Sequence, residues 1–415
     1  MNRLQTIPRF VVTYGFGDFC SALTSLFRRN PPALTGLDHL FPQSAKFWTG
    51  SGRQALWLML RALKLPPRAG VAVPLYSDLA VIQTVAACNL TPVFVDVDEQ
   101  TLTMSPASLS AVRDRISAIV AVHLFGNVAP IVDLQRAAPN VPLIEDTVHA
   151  PLSFLNNKLV GSMGVGCFYS CGSSKCFPAG GGGIAVVHDE QLVESVVQDS
   201  ANLTSSSTKE RIWNFLCQSA KSAVFRKPMY GAVARPLRPR MERYAVLEPE
   251  LDMKAIQPSQ AVVALRQIRS YEARAKGQRE NGHRLLSALS DVPGLVLPHE
   301  RPGCEYAYHF FPVLVSDAEE RDSVARRMLE KSVDTSRVYF NVVSDARRLG
   351  YGGGCPVAEA AAQRMMTLPN YAALTTQEID YVAETFIEAV EAHRSNRRRK
   401  AWAVGAARQE SMEVS

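Results

Sequence analysis

The feature that most constrains the fold is an alternation that begins at residue 70. Short apolar runs rich in β-branched residues read as buried strands: "VAVP" (71–74), "PVFVDV" (92–97), "AIVAVH" (118–123), "PLIED" (142–146), "GCFYS" (166–170) and "IAVV" (184–187). Between the first four lie stretches of helical spacing at 78–88, 106–115 and 130–138. One of these, "SPASLSAVRDR", offers Ser105 as an N-cap and Pro106 as the first helical residue. Strand–helix–strand repetition predicts an α/β fold with a mainly parallel sheet flanked by helices. Ligands of such sheets bind beyond the carboxyl ends of the strands, so chemistry is sought just after each apolar run.

Outside this core the pattern changes. "TGSGRQALWLMLRALKL" (49–65) is a glycine-containing turn that opens a helix with Leu56, Met59, Leu60 and Leu63 on one face. Residues 201–250 lack clean periodicity and contain "RKPMYGAVARPLRPRMERY" (226–244), with five arginines, one lysine and one glutamate. A long helix is expected over 258–290, an apolar run at 306–315, a helix near 317–331 and an amphipathic helix at 375–393. The expected organisation is an N-terminal arm (1–45), a large domain (46–250), a smaller C-terminal α/β domain (251–395) and a basic, disordered tail (396–415).

Bulk properties exclude several classes. A chain of 415 residues can hold two domains sharing a large core, and 47% hydrophobic with 20% charged residues is an ordinary globular balance. The net charge of +6, from 45 basic and 39 acidic residues, is too mild for a dedicated nucleic-acid binder. The local run "RSNRRRK" (394–400) reads as solvated, a weak contact with anionic lipid or nucleic acid being the alternative. The N-terminal residues lack a basic region followed by a long apolar core, and no stretch reaches the length of a membrane span. Eight scattered cysteines suit reduced thiols. These traits lead to the expectation of a cytoplasmic protein with no membrane span.

The stretch "GCFYSCGSSKCFPAGGGG" (166–183) carries the sharpest question, the role of Lys175. A Walker loop needs its glycines before the lysine and Ser/Thr after it; here the glycines follow, and Cys176 stands in the Ser/Thr place. Cys167, Cys171 and Cys176 lack the Cys-x-x-Cys knuckle of a zinc site. Two readings remain, an ordinary surface lysine or a lysine that forms a Schiff base with a carbonyl cofactor. Neighbouring strand ends bear on the choice. After "PLI" come Glu145, Asp146 and His149; after "GCFY" come Ser170 and Lys175. Ser51 and Gly52 precede a helix, whose N-terminus favours anions. Together these parts suit pyridoxal phosphate: Lys175 for the aldehyde, Asp146 to keep the pyridine nitrogen protonated, and Ser51, Gly52 and Ser170 for the phosphate. The glycines at 180–183 would let backbone pass close to the cofactor or a partner chain. Taken singly, Asp146 also reads as a strand-end cap, His149 as a satisfied helix residue and Ser170 as a turn residue.

The stretches "SGRQAL", "PVFVDVDEQTL", "AVHLFGN", "LIEDTVHA", "FYSCGSSK" followed by glycines, and "CPVAEAAAQRMMTLPNY" resemble the DegT group of sugar aminotransferases, fold-type I pyridoxal phosphate enzymes. The resemblance runs from about residue 45 to 390 and is weaker at 200–250. It implies that Lys175 holds the cofactor and moves the proton, that Asp146 pairs with the pyridinium, and that His149 contacts the ring or its phenolic oxygen. It further implies a phosphate site at Ser170, Gly52 and Arg53. The implied reaction passes an amino group from a small donor, glutamate, to a keto group on a nucleotide-linked sugar, in a homodimer with active sites at the subunit interface. Several positions depart from the family. Arg53 replaces a common threonine, Asp78 falls where an aromatic often stacks on the cofactor with Tyr76 nearby, and Met253 falls where an asparagine usually reaches the partner's phosphate. "RVYFNVVSDA" replaces an aromatic-proline-histidine stretch. Family members with histidine in place of the lysine are dehydratases, a route Lys175 argues against. An altered acceptor pocket keeps two alternatives open: transfer to a cyclitol, small or lipid-linked ketone, or a cofactor-binding regulator without turnover. Arg226, Lys227, Arg235, Arg238, Arg240 and Arg243 offer either a solvated surface or contacts to an acceptor diphosphate.

Overall fold

The structure is a computed structural model that describes residues 3–237 and 251–413. Its centre is a seven-stranded sheet. The strands in chain order are β1 (Ala45–Thr49), β2 (Gly70–Pro74), β3 (Thr91–Val95), β4 (Ala118–Val122), β5 (Leu143–Asp146), then the short hairpin β6 (Phe154–Leu155) and β7 (Lys158–Leu159), β8 (Gly166–Ser170) and β9 (Gly183–Val187). The sheet order is β1-β9-β8-β5-β4-β2-β3, with the hairpin lying outside it. Pairings from β3 through β8 are parallel; β9 runs antiparallel to β8, and β1 antiparallel to β9. The reversal follows from the connection: residues 171–182 contain no crossover helix, so the chain must return beside β8. All six expected runs form strands. The edge strand "AKFWT" was not legible, because a half-buried edge carries no continuous apolar run.

Helices cover both faces. α1 (Phe16–Ser25) precedes the sheet; α2 (Gly52–Ala62), α3 (Leu79–Ala87), α4 (Pro106–Ser110) and α5 (Ile131–Ala137) connect its strands. Ser51, Asp78 and Ser105 cap α2, α3 and α4 with their side chains. α6 (Glu190–Ala201) and α7 (Thr208–Val224) follow the sheet. α7 lies where no periodicity was expected. It buries only Gln218 and Ser222, its apolar Ile212, Trp213 and Leu216 being exposed, and its start is fixed by a capping box between Ser207 and Glu210. The helix expected over 258–290 is broken at Ser270 into α8 (Pro258–Arg269) and α9 (Tyr271–Leu289).

The C-terminal part adds β10 (Cys304–Glu305), which extends the β6–β7 hairpin, and the antiparallel pair β11 (Phe311–Leu314) and β12 (Met365–Leu368). Around these lie α10 (Ala318–Glu330), α11 (Val342–Arg348), α12 (Pro356–Arg364) and α13 (Thr376–Glu413). Ile7, Leu285, Leu289, Phe311, Val313, Met366, Ile379 and Phe386 meet in its core. Asp96 ties this part to the sheet: its Oδ1 accepts from Ala358 N at 2.8 Å and its Oδ2 from Val357 N at 3.1 Å, capping α12 from the end of β3. The "FVDVD" and "CPVAE" stretches therefore meet in space.

The disordered tail is corrected. α13 continues to Glu413, because "RSNRRRKAWAVGAARQESME" is rich in strong helix formers and lacks proline. Its basic run is also tied down, Arg394 to Glu320 at 2.6 Å and Arg397 to Asp317 at 2.6 Å. No helix among the described residues is long and apolar enough to cross a membrane.

Candidate active site

One cavity opens at the carboxyl ends of the central strands. It is walled by Gly52, Arg53 and Leu56 from α2, Asp78, Ala80, Val81 and Thr84 from the α3 region, Asp146, Val148 and His149 after β5, Ser170 and Lys175 after β8, and Tyr339 from the C-terminal part. Six of the seven expected site residues thus face one space. Ser51 does not line it. Its hydroxyl accepts the Gln54 N–H at 3.1 Å, so its side chain caps α2 instead.

Lys175 Nζ lies 3.1 Å from His149 Nε2 and 3.8 Å from Asp78 Oδ2. His149 is oriented by main chain: Phe125 N donates to its Nδ1 at 3.4 Å, and the Phe125 ring lies parallel to the imidazole. That N–H points inward because Phe125 takes a left-handed conformation (φ 62°). Burial, together with the Lys175 charge, holds the imidazole well below its ordinary range, so the ring is neutral. Asp146 accepts from Val148 N at 3.0 Å. Burial pushes its carboxyl up to about 7, only partly offset by that hydrogen bond and by Lys175.

The adjacent Glu145 points to the other side of the sheet and is structural. It accepts from Gly161 N at 2.8 Å, Met163 N at 2.7 Å and Gly164 N at 2.8 Å, and meets His123 Nε2 at 3.1 Å. Burial alone would raise its pKa, but these partners bring it below the ordinary carboxylate value. Alternation along β5 thus separates two neighbouring carboxylates into a site residue and a scaffold residue.

Gly52 is required by close approach. A Cβ there would fall 2.8 Å from Ser170 Cβ, so only glycine lets the first turn of α2 rest on the end of β8. The result is a small concavity with a helix N-terminus on one side and the Ser170 hydroxyl on the other, suited to a phosphate. Within the glycine run at 180–183, Gly182 and Gly183 lie against the chain's own segment 50–52. A Cβ on Gly183 would meet Ser51 C at 2.5 Å, and Gly182 N donates to Gly50 O at 3.0 Å.

The departures from the family resolve as follows. Asp78 caps α3 and lines the cavity. Tyr76 is fully buried away from it, its hydroxyl donating to Val338 O at 3.0 Å. The tyrosine that does reach the cavity is Tyr339, inside "RVYFNVV", which no strand-end rule marks. Met253 accepts from Thr204 N through its carbonyl at 3.1 Å and does not line the cavity. Of the basic stretch at 226–244, three residues are tied into the fold. Arg226 donates to Tyr14 O at 2.7 Å, Lys227 pairs with Glu378, and Arg235 donates to Leu329 O at 2.8 Å. Arg238, Arg240 and Arg243 lie outside the described residues.

Comparison with known proteins agrees with this architecture. The model of the DegT/DnrJ/EryC1/StrS aminotransferase family matches residues 45–387. A dTDP-4-dehydro-2,3,6-trideoxy-D-glucose 4-aminotransferase of Saccharopolyspora spinosa is 27% identical, over 84% of this chain and 85% of its own. A UDP-N-acetyl-3-dehydro-alpha-D-glucosamine 3-aminotransferase of Acidithiobacillus ferrooxidans is 26% identical, over 80% and 81%. The crystal structure of the aminotransferase TlmJ from Streptoalloteichus hindustanus shares the fold, with a TM-score of 0.73, 22% identity, and coverage of 93% of this chain and 99% of that one. A match across most of the sheet and the C-terminal part, on a fold with a lysine and a carboxylate at adjacent strand ends, leads to one conclusion: the chain belongs to the DegT/DnrJ/EryC1/StrS aminotransferase family, whose enzymes depend on pyridoxal phosphate.

Proposed function

We propose that this aminotransferase carries an amino group from glutamate to a keto group on a nucleotide-linked sugar, with Lys175 as its covalent lysine. The observation that carries the reading is the single cavity in which the Lys175 amine, the Asp146 carboxyl and the N-terminus of α2 face one another. The two sugar-nucleotide aminotransferases above, similar over at least 80% of this chain, support the acceptor class.

The residues fit the cofactor on two independent grounds. The Gly52–Ser170 cradle would be filled by any Cβ at residue 52, and it presents main-chain amides, a hydroxyl and the adjacent Arg53 to a phosphate. Asp146 is a buried carboxyl whose one direct hydrogen-bond donor among the described residues is the Val148 amide, so a protonated pyridine nitrogen would give it a charge partner. When bound, pyridoxal phosphate supplies an electron sink that acidifies the C–H bond next to the substrate nitrogen. The chain's own groups do the rest. Lys175 Nζ takes that proton from the donor carbon and gives a proton back when the amino group is delivered to the acceptor. His149, 3.1 Å away and neutral, orients the amine without competing for its proton. Val148 N holds the Asp146 carboxyl in place, and Tyr339 and Phe168 wall the cavity against water.

The second copy belongs to the same proposal. Phe16 (82% exposed), Leu23, Phe27 (71%), Ile212, Trp213 (66%) and Leu216 lie on α1, just beyond its end, and on α7. The two helices are joined by the Phe19–Phe215 ring contact, so these side chains form an apolar face that a homodimer would cover. The test of the function is a half-reaction. Purified protein loaded with pyridoxal phosphate and given glutamate should convert the cofactor absorbance to that of its amine form. Borohydride reduction followed by peptide mapping should place the label on Lys175; a label on another lysine refutes the assignment.

A further inference from the structure

The residues on either side of Lys175 are both held by one imidazole from the C-terminal part of the chain. His309 Nε2 lies 3.2 Å from Ser174 O, and His309 Nδ1 lies 3.3 Å from Cys176 Sγ. The partners fix the tautomer. A carbonyl can only accept, so Nε2 carries the hydrogen; Nδ1 is then an acceptor, and the Cys176 thiol donates to it. A third bond reinforces the hold, from Arg274 in α9 to Cys176 O at 3.2 Å. Burial keeps the His309 ring neutral, with its pKa down at about 3, and pushes the Cys176 thiol up to about 12, so both groups stay in the protonation states this geometry needs.

His309 is itself held against the other side of the cavity. Ala307 N donates to Gly126 O at 3.2 Å, and Phe310 N to Phe125 O at 3.2 Å. Gly126 is needed for this approach: its φ is +96°, and a Cβ there would fall 2.7 Å from Tyr308 N. Phe125 is the residue whose N–H orients His149. The two imidazoles, 5.0 Å apart, therefore belong to one stapled unit in which His149 meets the lysine amine and His309 meets its main-chain neighbours.

We propose that His309 is a positioning residue for Lys175, acting through Ser174 O and the Cys176 thiol. The inference rests on Lys175 being the cofactor-bearing lysine. The physical need is clear. Lysine has four rotatable side-chain bonds and here sits in a loop that ends in four glycines, so small main-chain errors grow along the side chain before they reach Nζ. Reacting groups must be held to within about 0.5 Å, and a misplacement of about 1 Å can cost on the order of 100-fold in rate.

The experiment compares Cys176→Ala, Cys176→Ser and His309→Ala with the parent. In the glutamate half-reaction, Cys176→Ala and His309→Ala should lower kcat by about 10- to 100-fold while changing KM little. Cys176→Ser, which keeps a hydroxyl donor for Nδ1, should recover most of the loss. A second readout needs neither cofactor nor turnover: Cys176, only 4% exposed, should react slowly with iodoacetamide in the cofactor-free parent and much faster in His309→Ala. Unchanged kcat in the Ala variants, equal loss in Cys176→Ser and Cys176→Ala, or unchanged alkylation would each overturn the proposal. If His309→Ala does not fold, the Cys176 pair decides alone. If borohydride labels another lysine in the parent, the functional reading fails, whereas a label on Lys175 with indifferent variants sinks only this inference.

Discussion

Gly52→Ala is the most informative single change, because one methyl group tests the phosphate cradle without removing any polar atom. The new Cβ would stand 2.8 Å from Ser170 Cβ, whereas ordinary contact begins near 3.4 Å. The first turn of α2 must therefore back away from β8 by about 0.6 Å or more, or Ser170 must turn aside. Either movement spoils hydrogen bonds to a phosphate dianion, and charged hydrogen bonds are worth about 1.5–3 kcal/mol each. Losing one should raise the Kd for pyridoxal phosphate by about 10- to 100-fold, at about 1.4 kcal/mol per factor of ten. The fold itself should suffer less. Relieving the clash costs about 1–3 kcal/mol, and alanine returns up to about 1 kcal/mol of helix propensity. Titrating cofactor-free protein with pyridoxal phosphate gives the Kd; thermal unfolding of the same preparation gives the stability. A variant that is destabilised yet binds the cofactor as tightly as the parent would refute the cradle and reduce Gly52 to a packing residue.

Three further outcomes are expected. In cofactor-free protein the Asp146 carboxyl is raised from its ordinary 3.8 to about 7, so the folded state holds the extra proton between these values and stability on this account falls as pH rises through that window; Asp146→Asn should flatten the fall in Tm between pH 4 and pH 7 and, in loaded protein, remove most turnover, and a parent with no such slope would contradict the buried-carboxyl reading. Glu145→Gln should lower Tm by several degrees, because the amide replaces a carboxylate that serves three backbone N–H groups and His123, each charged bond being worth about 1.5–3 kcal/mol; an unchanged Tm would show that the network contributes nothing net. Trp213→Asp should shift the solution mass toward the 45.5 kDa monomer if the α1–α7 face joins two copies, and sedimentation equilibrium showing an unaltered dimer would exclude that face.

Local pattern in the sequence was enough to read six of the seven strands of the sheet and to pick out residues that line one cavity. Parallel strands buried on both faces must be continuous apolar runs, and the rule that ligands bind beyond their carboxyl ends singled out Asp146, His149, Ser170 and Lys175 from local pattern alone. The helix N-cap at Ser105 was legible for the same reason, since capping depends on neighbours three residues apart, whereas Ser51, expected at the phosphate, caps α2 instead. Tertiary structure decided everything that depends on distant residues. It set Glu145 in the scaffold and Asp146 in the wall of the cavity, gave Asp96 the task of capping α12, brought Tyr339 into the cavity in place of Tyr76, and set His309 against both neighbours of Lys175. A helix whose apolar side chains face outward, such as α7, is not marked by a core-facing stripe. A pattern in sequence records burial and local hydrogen bonding; a contact between residues 133 or 135 positions apart, like those of His309, leaves no periodicity to read.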